Sequence, residues 1–139
     1  MCALIPMTAF AGGLSSNWGE VVVDNLEPGK EYNLNGILNT SFKITNNFDE
    51  AVTLEISALI PEEAELKAGY IPIKDVSWVK VASAVIIPAR EQKIIPISIT
   101  IPSGNDFNGK KYQFWIWTRT AGQAVGVGLK SRILFSTIK

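Results

Sequence analysis

The chain has 139 residues and a mass of 15.2 kDa, enough for one domain with one sizeable core. Thirteen Lys and Arg balance thirteen Asp and Glu, and without a basic run neither counterion release from a nucleic acid nor attraction to anionic lipid is available. Histidine is absent and Cys2 is the single cysteine, which excludes imidazole catalysis, His-ligated zinc and an intrachain disulfide.

Ala9-Phe10-Ala11 fits the small-x-small pattern before a signal-peptide cleavage point. The apolar residues ahead of it, Leu4 and Ile5 among them, fit the tail of the apolar region of such a peptide, although no Lys or Arg precedes Lys30. Residues 1–13 are therefore expected to be either a signal-peptide remnant or a retained, extended arm. Such an arm could pair along a sheet edge of its own domain or of a neighbour. Residues 14–139 are expected to form a single domain. No apolar stretch is long enough to cross a bilayer as a helix.

From Glu20 onward the hydrophobic pattern has period two, and turn residues recur at short intervals. Val21-Val22-Val23 leads to the turn at Pro28-Gly29. Leu38, Thr40, Phe42 and Ile44 alternate with polar residues up to Asn46-Asn47, and Val52, Leu54, Ile56, Ala58 and Ile60 form the next alternation. These two are expected to be an adjacent antiparallel pair. Pro61 to Ala68, with Glu62, Glu63 and Glu65, allows a helical turn or two with a solvated charge group near its start. Short strands are expected from Val76 to Val81 and from Ala84 to Ile87. Ile95, Ile97, Ile99 and Ile101 mark another strand, and Pro96 places its backbone at an edge or bulge. Asn105 to Gly109 is ordinary turn chemistry, with no acidic residue at a spacing that would close a calcium shell. A last hairpin pairs Lys111–Arg119 with Val125–Ile138. Seven to nine strands without crossover helices predict an all-β, immunoglobulin-like antiparallel β-sandwich.

The order of these signals resembles the immunoglobulin-like sandwich modules of exported bacterial and archaeal surface proteins, nearest to the WxL-associated cell-wall type. The residues that carry the resemblance are Glu27-Pro28-Gly29-Lys30, Phe42-Lys43-Ile44-Thr45-Asn46-Asn47, Ile86-Ile87-Pro88-Ala89-Arg90-Glu91, Ile97-Ser98-Ile99-Thr100-Ile101-Pro102 and Gly109-Lys110-Lys111-Tyr112. It implies an extracytoplasmic spacer, adhesive unit or assembly subunit without enzymatic activity. It transfers no functional residue, because the shared pattern is a framework pattern.

The strand Lys111–Arg119 is apolar on both faces. One face carries Tyr112, Phe114 and Ile116, and is expected to point inward; the other carries Gln113, Trp115, Trp117 and Arg119, since burying Gln113 or Arg119 unpaired is costly. A four-residue turn would set Trp117 opposite Gly128 and Trp115 opposite Lys130, placing cations at the rings; a one-residue change in turn length would instead put the tryptophans inside and leave Tyr112, Phe114 and Ile116 as the surplus. The surplus aromatic face is either covered by another part of the chain, such as the arm or the loop near Trp78, or is an interface. The candidate contact residues are Trp115, Trp117, Gln113, Arg119, Lys130 and Arg132, with Leu4, Ile5 and Phe10 of the arm. No catalytic constellation, phosphate-binding glycine loop, cofactor or metal site is legible. The expected function is a non-enzymatic module, secreted, periplasmic or on the cell surface, that assembles with protein partners, preferably copies of itself in a filament or array. The alternatives are a carbohydrate-binding module in which Trp115 and Trp117 stack on cell-wall glycan, and a passive spacer domain. Nucleic acid is not an expected partner.

Overall fold

The computed structural model describes the backbone of residues 2–4, 9–11, 13–122 and 127–139, and the side chains of residues 13–122 and 127–139. The architecture is an all-β, immunoglobulin-like sandwich. One layer is a seven-stranded sheet of β1 (Cys2–Leu4), β4 (Glu20–Leu26), β14 (Gly128–Thr137), β13 (Lys111–Thr120), β7 (Val52–Leu59) and β10 (Ala84–Ile87) in that order, with β8 (Ile71–Pro72) beside β13. The other layer is a four-stranded sheet of β11 (Gln92–Ile94), β6 (Lys43–Asn46), β3 (Leu14–Ser16) and β2 (Ala9–Ala11), and a three-stranded sheet of β5 (Glu31–Asn33), β12 (Ile97–Thr100) and β9 (Val79–Val81). Leu54, Ile56, Phe114, Ile116, Ile133 and Phe135 from the first layer meet Leu14, Ile44, Ile97 and Ile99 from the second in one buried cluster.

Both N-terminal segments pair within their own chain. β1 runs antiparallel to β4, Leu4 opposite Val21, and β2 runs antiparallel to β3, Phe10 opposite Ser15. Ile5 lies outside the described residues, as do the side chains of Leu4 and Phe10. Between β3 and β4 the chain changes sheets at Trp18, which is fully buried and stacks on Phe42 at 5.2 Å. Asn17 stands in for the missing ladder there: its Nδ2 donates to Ser41 O and its Oδ1 accepts from Lys43 N. β4 then pairs in parallel with β14.

Three expectations are corrected. β6 and β7 are not an antiparallel pair; they belong to different sheets, and the turn between them crosses from layer to layer. Asn46 makes this corner possible. It is fully buried, and its amide donates to Glu50 O, Ile87 O and Pro88 O while its Oδ1 accepts from Phe48 N. That saturates buried polar groups that a strand pair would otherwise satisfy. Leu38 and Thr40 lie outside β6, because residues 34–37 form a single helical turn, α1 (Leu34–Ile37), capped by Asn33. The run of isoleucines is not one strand: Ile95 bonds through its N–H to Phe42 O, at the end of β11, while Ile97 and Ile99 belong to β12 in another sheet; Pro96, a residue without an N–H, stands where one ladder ends and the next begins.

Candidate functional site

β13 meets β14 along its whole length, with Trp115 opposite Arg132, Trp117 opposite Lys130 and Arg119 opposite Gly128. The register differs by two residues from the one a four-residue turn implies, because the strands are joined by residues 121–127. A shift of two preserves the faces. Tyr112, Phe114 and Ile116 are buried inward, and Gln113, Trp115, Trp117 and Arg119 lie on the outer face. Trp117 still covers Gly128, where an added Cβ would stand 2.3 Å from the indole Cη2.

Gln113 is fully buried on that outer face, and both its amide oxygen and its amide nitrogen are hydrogen-bonded. The reason is a segment that sequence reading took for a solvated helical turn, a strap of residues 62–70 lying across the start of β13. It opens with a 3-10 turn, Glu63–Glu65, in which Glu65 N donates to Glu62 O and Glu62 N donates to Glu65 Oε1. Gln113 Oε1 accepts from Lys67 N at 2.8 Å, and its Nε2 donates to Glu65 O at 3.0 Å. The strap leads into β8, parallel to β13, with Ile73 N donating to Gln113 O.

Five charges fasten the strap to the sheet. Glu20, on β4 and 8 % exposed, accepts from Lys67 Nζ at 2.8 Å and from Arg132 Nη1 at 3.1 Å. Lys130 Nζ reaches Glu65 Oε2 at 3.1 Å, and Arg132 Nη2 reaches Glu65 O at 3.4 Å. Burial opposes the charge on Glu20, but hydrogen bonds from Lys67 and Arg132 outweigh it, and the carboxyl sits below its ordinary value. Glu65 is lowered by the Glu62 main-chain N–H and by Lys130. The same two cations from β14 flank Trp115, Lys130 Nζ at 5.3 Å and Arg132 Cζ at 4.9 Å from the ring.

The sequence candidates thus divide. Gln113, Trp115, Lys130 and Arg132 come together under or beside the strap. Trp117 is half-buried beyond it, and Arg119 is exposed and paired with Glu55 at 2.8 Å. The loop near Trp78 is not the cover: Trp78 belongs to the inner core, edge-on to Tyr112 and Phe107. Sequence reading missed Glu20 and Lys67 as members of the cluster and took Glu65 for a solvated charge. The one available signal was Gln113 itself, a polar residue among outer aromatics with no strand left to satisfy it. Among the described residues, no group of three or more His, Cys, Asp or Glu is placed to hold a metal ion, and no helix is long and apolar enough to cross a membrane.

No protein-family model and no curated protein matches the chain. Solved structures do. The PapD-like domain 7 of human CEP192 is similar at 12 % identity with a TM-score of 0.64, over 93 % of this chain and 87 % of that one. The periplasmic chaperone SfaE is similar at 12 % identity and a TM-score of 0.58, over 90 % of this chain and 57 % of its own. A family 123 glycoside hydrolase from Clostridium perfringens contains a similar unit, at 12 % identity and a TM-score of 0.61, covering 88 % of this chain and 23 % of the enzyme. At such identities the likeness establishes the fold alone, an all-β sandwich of immunoglobulin type.

Proposed function

We propose that this chain is a non-enzymatic interaction module of an extracytoplasmic surface assembly, joined to its neighbours through the part of the outer face that the strap leaves open. The observation that carries the reading is Trp117, a large aromatic that is only half-buried and lies on bare glycine backbone beside the exposed Arg119 and Lys130. An aromatic anchor with cationic neighbours is the composition of a contact centre. The resemblance to modules of exported surface proteins supports the extracytoplasmic setting, and so does a fold shared with a periplasmic chaperone. Homomeric assembly is the preferred form, with this face seated on a different surface of the next copy, a contact that propagates unless it closes into a ring.

Sugar stacking fits the geometry less well. The Trp115 ring is flanked by two cations and bordered by the strap, which leaves Trp117 as a single stacking surface.

Sedimentation velocity on the full chain and on Trp117→Ala tests the proposal. Species beyond a dimer that grow with concentration and disappear in the variant are expected; a wild-type chain without them overturns the homomeric form. A change in tryptophan emission on titration with cell-wall polysaccharide, lost in Trp117→Ala, would replace it with the glycan reading.

A further inference from the structure

The seven-stranded sheet ends in β1 on one flank and in β10 on the other. Among the described residues, β10 pairs with β7 on one side and with no strand on the other. We infer that β10 is a self-pairing edge: two copies of this chain associate by aligning their Ala84–Ile87 strands antiparallel across a two-fold axis, continuing the sheet from one subunit into the next. This uses another surface than the Trp117 face and does not depend on it.

Edge strands normally carry a device against such pairing, most often a charge or a proline. β5 carries Glu31, β9 carries Lys80, β11 carries Lys93, and the two-residue β8 contains Pro72. β10 is Ala84-Val85-Ile86-Ile87, and no charged residue occurs from Val81 to Ala89. Ile86 on this strand is 60 % exposed, above every other large hydrophobic among the described side chains.

The occupant follows from the strand's own symmetry. Ile56 N donates to Ser83 O, so the main-chain groups of Ser83, and by alternation those of Val85 and Ile87, face β7. Those of Ala84 and Ile86 face outward. An antiparallel register centred on Val85 then sets Ala84 opposite Ile86 of the partner subunit, and Ile86 opposite Ala84 of the partner subunit. Two hydrogen-bonded pairs form, with about four main-chain bonds. On the outer face each large side chain meets a small one, and no like charges are brought together. A strand from a foreign protein would have to supply this small–large alternation; a second copy has it already. Pro88 ends the ladder on each side, so the contact closes as a dimer.

Sedimentation equilibrium over a wide concentration range, combined with amide hydrogen exchange, tests this on the full chain. In Trp117→Ala, which lacks the other contact, a monomer–dimer equilibrium is expected, with added protection at the Ala84 and Ile86 amides in concentrated samples. Ile86→Lys, at an exposed position that leaves the core intact, should weaken dimerisation by about tenfold or more, whereas Trp117→Ala should leave it unchanged. The inference is overturned if the wild-type chain shows no dimer, if folded Ile86→Lys dimerises as well as wild type, or if Trp117→Ala alone abolishes the dimer. Larger species lost only in Trp117→Ala would still support the other face while refuting this edge.

Discussion

Trp115 and Trp117 stand two positions apart on one face of one strand, and sequence alone gives no reason to treat them differently. Their surroundings do. Trp115 has Lys130 and Arg132 at its ring and a strap beside it whose own main chain is bonded to Gln113. Trp117 has Gly128 beneath it and lies beyond the strap. A buried polar residue, not an aromatic one, sets the boundary: Gln113 draws the strap over its end of the strand, and the cover extends only as far as the cations that tie it down.

The sharpest way to break this contrast is to truncate each ring. Trp115→Ala is expected to cost about 2–4 kcal/mol in urea unfolding, since it empties a packed site and removes the ring from beside two cations. Trp117→Ala should cost about 1–2 kcal/mol and act mainly on association; equal costs would dissolve the distinction. Next in size, Gln113→Leu leaves Lys67 N without its partner and Glu65 O with only the longer bond from Arg132, and should cost about 2 kcal/mol. Limited proteolysis should then cut within residues 62–70, with the emission of Trp117 unaffected. Gly128→Ala acts on the other half: the new methyl displaces the Trp117 ring, costing about 1 kcal/mol and shifting its emission to the red, while the strap stays resistant to protease.

The smallest effect is that of acid. Glu20 and Glu65 titrate below their ordinary value of 4.5 in the fold, so their contribution is complete above that value and fades as pH falls through the lowered folded values. Protease sensitivity of the strap should therefore rise below about pH 4.5, with none of this change between pH 6 and 8.

The layers of the fold were legible because alternation with period two reports one buried face directly; on β13, apolar on both faces, the inward set Tyr112, Phe114 and Ile116 was chosen by the cost of burying Gln113 or Arg119 unpaired. What alternation cannot report is where a strand leaves its sheet. The corner at Asn46 rests on side-chain hydrogen bonds to residues more than forty positions away, and the break at Pro96 read as a bulge within one strand. The candidate site was half legible for a related reason. The aromatic residues and the cations beside them lie on two strands joined by a hairpin, where proximity follows from pairing. Glu20 and Lys67 come from segments with no local signature of contact, so their meeting with Arg132 is a product of the parallel β4–β14 pairing and the path of the strap.

That parallel pairing has a mechanical consequence. Tension entering ahead of Glu20 and leaving after Thr137 pulls on opposite ends of two neighbouring strands that run the same way. Their hydrogen bonds are then loaded in shear, sharing the force at once rather than opening one after another. Under load, survival is governed by the rate of unfolding. A domain strung between neighbours should accordingly yield in a single abrupt rupture, which optical tweezers gripping its two ends would record.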